Sequence, residues 1–167
     1  MMFPPISDWD ALHPLVIHFP IGLLMVAPLL VLLSLLFPAC GRAYSFSAFV
    51  IMLLGTAGAI VSVATGKASL ASGVVDTTVK GLSEVLERHK ELAEMARNAF
   101  AALTVLYAVV VWGPMLIKKN FGRATHIIVT LVYLAVYSGA MLLLVNAAHN
   151  GGRLVHEFGV HVLMGAT

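Results

Sequence analysis

Charge is what this chain has least of. Asp, Glu, Lys and Arg together make up 11% of its 167 residues, against about a quarter in an ordinary soluble domain. Water is therefore not its main solvent. Cysteine is almost absent: Cys40 stands alone, which excludes an intrachain disulfide and any C-x-x-C-H attachment motif. The formal net charge of +2 is too small and too dispersed to argue for nucleic acid. No nucleotide-binding glycine loop, catalytic triad or phosphate cradle can be read along the chain. The opening MMFPPISDWD has no basic residue and no small-residue cleavage site behind a short apolar core, so it does not read as a removable signal peptide.

What is present is hydrophobic sequence, 60% of the chain. Four apolar runs, about 12–37, 46–66, 97–117 and 124–148, are each long enough to cross a hydrocarbon core of about 30 Å, which takes about 20 helical residues. The expected fold is all-α: one transmembrane four-helix domain spanning 1–167. Between the spans, Arg42 lies in one connection and Lys118, Lys119 and Arg123 in another, neither with an acid; all eight acids lie on the opposite side. Lys and Arg alone count four against six. The six are diluted in a long neutral segment, so the acid-free loops are placed in the cytoplasm. Both termini and the 67–96 connection are then periplasmic, in a bacterial inner membrane, with lipid as the first partner.

Ser7 or Asp8 can cap the first helix, and Pro14 falls in its opening turns. Pro20 and Pro28 lie inside the span and predict a bend close to His18. The second span, with Gly55, Gly58, Gly66 and many Ala, Ser and Thr, reads as an inner packing helix. From about 76 to 98 an amphipathic pattern sets Val85, Leu86, His89, Leu92, Ala93 and Ala96 on one face. His89 should then point at the bundle, on a third helix extended outward from its span. Asn150-Gly151-Gly152 reads as the stop of the fourth helix. The tail RLVHEFGVHVLMGAT, apolar but too short to span, should pack over the outer face.

Six of the seven histidines fall at one end of such a bundle: His13, His18, His89, His149, His156 and His161; only His126 lies at the other. Imidazole is costly in hydrocarbon, so a cluster of it marks a site. Paired histidines from different helices, in a slot of apolar and small residues, are the ligands of a b-type haem. One or two such haems are expected. The ligand set would draw on His18, His89 and His149 with His13 or His156, and Arg97 and Arg153 would serve propionates. His13 and His18, about 140° apart around a helix, should not share an iron. His126 lies about 35 Å from His149 along a helix, which favours electron transfer along the outer face. The reading is an electron-transfer protein or cytochrome b subunit of a larger redox complex, linking quinone to an external acceptor. One alternative is a non-haem metal site of His89, His149 and His156 with Glu87, Glu91 or Glu94. The other is a cofactor-free accessory subunit whose histidines are merely interfacial.

Two stretches look familiar. HPLVIHFPIGLL (13–24) and HNGGRLVHEFGVHV (149–162), with a histidine on the third helix between them, resemble a bacterial four-span membrane family, the domain of unknown function 2231 family. The resemblance rests on His13, Pro14, His18, Phe19 and Pro20 at the start, and on Gly151, Gly152, Leu154 and Val155 near the end. The tail departs from the usual G-G-x-L-V-Y-x-H-G-V: His156 stands at the tyrosine, Phe158 at the histidine, and His161 at a position that is often small. The resemblance implies a four-helix inner-membrane protein and supplies no activity.

Overall fold

Proline decides how the first span begins. Pro20 has no N–H for the carbonyl of Val16, and the helix is interrupted beside it: α1 (His13–Val16) and α2 (His18–Leu36) are separated at Ile17. Ile17 keeps helical dihedrals (φ −61°, ψ −30°), so what Pro20 leaves beside His18 is a gap in the hydrogen-bond ladder. The computed structural model describes residues 13–71, 79–116 and 122–160; Ser7, Asp8, His161 and the tail beyond Val160 lie outside them. A short 3-10 turn, Pro38–Cys40, leads into α3 (Gly41–Ala71). Gly41 is required there, because a Cβ would stand 2.9 Å from the carbonyl oxygen of Ser34. α4 (Leu82–Leu116) and α5 (Arg123–His156) complete an all-α four-helix bundle, with no strand among the described residues. α2 packs along α3 and α4 along α5, while α3–α4 and α2–α5 contacts close the ring.

The interior is built from small and hydroxylated residues. On α3, Ala48, Met52, Gly55, Ala59, Ser62, Gly66 and Ser69 succeed one another at alternating steps of four and three, and all are buried or half-buried. That spacing is the seam of a left-handed helix pair. A Cβ on Gly55 would meet the Leu24 side chain at 2.8 Å, and one on Gly58 would meet Pro20 at 3.2 Å. These two glycines are what let α2 lie against α3. Thr56 and Thr104 join α3 to α4 through a 2.9 Å hydroxyl contact, and Thr104 also donates to its own helix at Phe100.

Pro28 would leave the carbonyl of Leu24 without its helical donor. The hydroxyl of Tyr137 on α5 supplies one at 2.8 Å. Tyr133, a turn away, donates toward the carbonyl of Leu103 at 3.2 Å and lies equally close to the sulfur of Met52. Phe100, Tyr137, Tyr133 and Tyr107 stack in sequence, with ring centres 5.1–5.9 Å apart, and fill this half of the bundle. The surface carries the large apolar side chains instead, among them Leu29, Leu53, Val105, Leu131 and Leu142. Polar groups inside and bare hydrocarbon outside suit lipid as the surrounding solvent. All four long helices are long and apolar enough to cross a bilayer.

One boundary is as expected and one is not. α4 is continuous from Leu82, just after Gly81 in a left-handed turn (φ 84°), so the amphipathic stretch and the third span form a single rod. α5 does not stop at Asn150-Gly151-Gly152; it runs on to His156. The glycine pair had been read as a terminator, yet Gly151 is helical. The left-handed residue at the end is Gly159, with φ 66°. It turns Phe158 and Val160 onto Leu82, Val85, Leu86 and Leu154, forming a small apolar cap.

Candidate functional site

At the end of the bundle where α1, the C-terminal turns of α3 and α5 and the first turns of α4 meet, the helices line an open-sided cavity of about 630 Å³. That is within the usual range for a small-molecule site, about 300–1,000 Å³. Its walls are mostly small or aliphatic: Ala59, Ala93, Ala96, Ala148, Ile21 and Leu144. Small side chains on facing helices are what leave the space open.

His13 and His89 enter this cavity from α1 and α4, with ring centres 6.5 Å apart and planes inclined at 78°. Each is held in the same way. The Nδ1 of His89 lies 2.8 Å from the carbonyl oxygen of Ala147; a carbonyl only accepts, so Nδ1–H donates. The Nδ1 of His13 lies 3.2 Å from the Thr65 hydroxyl. That hydroxyl also stands 3.1 and 3.0 Å from the carbonyls of Val61 and Ser62; donating its one hydrogen to either leaves it an acceptor for His13. In the neutral His89 ring the proton therefore sits on Nδ1 and the lone pair on Nε2; His13 takes the same tautomer when it donates to Thr65. Imidazoles that bind metal are commonly fixed by such a bond on the other nitrogen.

The rings also rest on glycines. A Cβ on Gly66 would meet Cε1 of His13 at 3.1 Å, and one on Gly151 would meet Cε1 of His89 at 3.0 Å. This is why α5 carries a glycine in mid-helix: the missing side chain is the seat of the opposing imidazole. Metal–imidazole bonds are about 2.0–2.1 Å, and a ring nitrogen lies about 1.1 Å from the ring centre, so two rings on opposite sides of one ion have centres about 6.3 Å apart. The His13–His89 separation is close to that figure, and it is also within the range of an ordinary edge-to-face ring contact. Two imidazoles cannot by themselves complete a tetrahedral site, so the pair suits a metal that brings most of its own ligands.

The other sequence candidates are arranged differently. His18 and His156 are exposed and line the cavity at its edge, while His149 is exposed and outside the lining. His126 is exposed near the start of α5, at the far end of the bundle. Arg97 lines the cavity, but Arg153 does not: its guanidinium pairs with Glu157 at 2.9 Å. That hydrogen bond holds the Glu157 carboxyl below the usual carboxylate range. Among the described residues, no three of His, Cys, Asp and Glu stand close enough together to hold an ion. The mixed site of His89 with Glu87, Glu91 or Glu94 therefore has no geometry behind it. Residues that sequence reasoning did not assign to the site are Thr65, Gly66, Lys67 and Ala147. Only Gly66 carried a signal, as a small residue one helical step from a hydroxyl at the cavity end of α3.

A family model described as predicted membrane protein (DUF2231) matches residues 9–164. The chain belongs to the DUF2231 family. The matched region contains both imidazoles and both glycine seats, so the cavity of this DUF2231 protein lies wholly inside the family domain. Comparison with curated proteins and with solved structures gave no match.

Proposed function

We propose that this protein is a b-type haem carrier of the membrane, with His13 and His89 as the axial pair. The observation that carries the reading is their 6.5 Å ring separation, combined with the Nδ1 hydrogen bond to a carbonyl that puts the lone pair of His89 on Nε2. A porphyrin supplies four equatorial nitrogens and asks two axial ligands of the protein, which is the number in the half-buried facing pair, His13 and His89. A non-haem ion would ask for three or four protein donors, and no such group is present among the described residues.

When bound, such a haem supplies reversible one-electron chemistry. The chain's own contribution is to fix two ring orientations, exclude water with aliphatic walls, and hold the site at one end of the bundle. Tyr107, Tyr133 and Tyr137 pack the other half solid, so electrons would enter and leave at the cavity end. In our reading that end faces the periplasm of a bacterial inner membrane. The protein would serve as a cytochrome b subunit of a redox complex, exchanging electrons with quinone.

The test is the optical spectrum of the full chain purified in detergent from cells supplied with haem. A Soret band and a sharp α band on reduction are expected, and both should disappear in His13→Ala and in His89→Ala. A colourless wild-type protein that takes up no added haem would overturn the proposal.

A further inference from the structure

All of the cavity's charge lies on one side. Lys67 from α3 and Lys90, Glu94 and Arg97 from α4 line it, whereas the lining residues of α2 and α5 include no Lys, Arg, Asp or Glu. The α4 residues follow at i, i+4 and i+7 and so form one stripe. The adjacent stripe, His89, Ala93, Ala96 and Phe100, forms the apolar wall beside it. Lys67 Nζ pairs with Glu94 at 2.8 Å, and Lys90 and Arg97 both act electrostatically on the same carboxylate. Three cations thus stand around Glu94, and with Glu87 against Lys90 the surplus at the rim is one positive charge. Arg97 donates to the neutral amide oxygen of Asn98. Lys90 reaches Glu87 only at 3.4 Å, in an exposed pair, and such pairs contribute little.

We infer that this α3–α4 rim anchors two carboxylates of the cavity's ligand, so that the site selects a tetrapyrrole bearing two acidic side chains on one edge. The inference rests on the axial-pair reading and adds an orientation to it. The carboxylate edge lies toward Lys90 and Arg97, and the apolar edge toward Ile21, Leu144 and Ala148. Lys90 and Arg97 stand two helical turns apart, about 10.5 Å along the axis. They therefore address separate carboxylates rather than share one. The Lys67–Glu94 bridge ties α3 to α4 beneath them and keeps the rim closed.

The experiment is a titration of the full chain, purified in detergent after growth without haem supply, with ferric haem and separately with its dimethyl ester. The ester keeps the iron and the ring and removes both negative charges. The wild-type protein should bind haem at least about tenfold more tightly than the ester, the value of one charge-assisted contact. The double variant Lys90→Gln, Arg97→Gln should lose that preference and yet give an unchanged bis-imidazole spectrum with haem. Equal affinity of the wild-type protein for both compounds would overturn the rim while leaving the axial pair standing. Failure of both to give a bis-imidazole spectrum would overturn the axial pair, and the rim with it. An unaltered preference in the double variant would also remove these two residues from the site.

Discussion

The hydroxyl of Tyr137 donates to the carbonyl of Leu24, four residues before Pro28 and left by it without a backbone donor. A proline on one helix is thus completed by a tyrosine on another, 113 residues away in sequence. The relation predicts a specific rescue. Tyr137→Phe should lower stability by about 1–2 kcal/mol, the range for one interhelical bond lost and one acceptor stranded. Pro28→Ala restores the N–H, so in the Tyr137→Phe background it should recover most of the loss. Denaturation in mixed detergent micelles would measure both; equal effects of Tyr137→Phe with and without Pro28 would refute the coupling.

The two threonines that bridge α3 and α4 make a second, smaller case. Thr56→Val and Thr104→Val should each destabilise the bundle, and their double-mutant coupling should be about 0.6–1.7 kcal/mol. A coupling near zero would mean that each hydroxyl is satisfied within its own helix.

Within the site, the hydrogen bonds on Nδ1 should tune what Nε2 can bind. Thr65→Val removes the acceptor of His13 and should weaken haem binding by about 10–100-fold, as loss of such supporting contacts does at metal sites. Thr65→Ser keeps the hydroxyl and should bind as the wild type does. The two variants, titrated with haem side by side, separate the hydrogen bond from packing.

The glycine seats make a steric prediction. Gly151→Leu should expel His89 from its position and abolish the bis-imidazole spectrum, while helical circular dichroism persists because leucine is the better helix former. Gly66→Leu should do the same through His13. A normal spectrum in either variant would show that the rings do not need those seats.

The exposed histidines should behave otherwise. His18→Ala, His149→Ala and His126→Ala should each keep a haem signal of full intensity, since none of them belongs to the facing pair. Loss of haem in His126→Ala would demand a second site at the opposite surface.

Much of the scaffold was legible in the sequence, because apolar run length and proline position act locally. The four long apolar runs became four long helices, and the ladder is interrupted beside Pro20, near His18. The inward face of His89 followed from the periodicity of the residues around it. The site was less legible, because it depends on relations between helices. Nothing local says that His13 rather than His18 faces His89; the break at Ile17 and the acceptor at Thr65 decide it. Gly151-Gly152 was misread as a terminator because a glycine's reason can lie in another helix, here the imidazole of His89. Arg153 looked available for a ligand until Glu157, one turn on, engaged it.

The division of the bundle into a filled half and a hollow half has a consequence for biogenesis. The aromatic stack and the Tyr137–Leu24 bond lock the filled half using nothing but the polypeptide. That half needs no guest to hold it together, so on the haem proposal loading would be a separate, later event at a bundle already standing in the lipid.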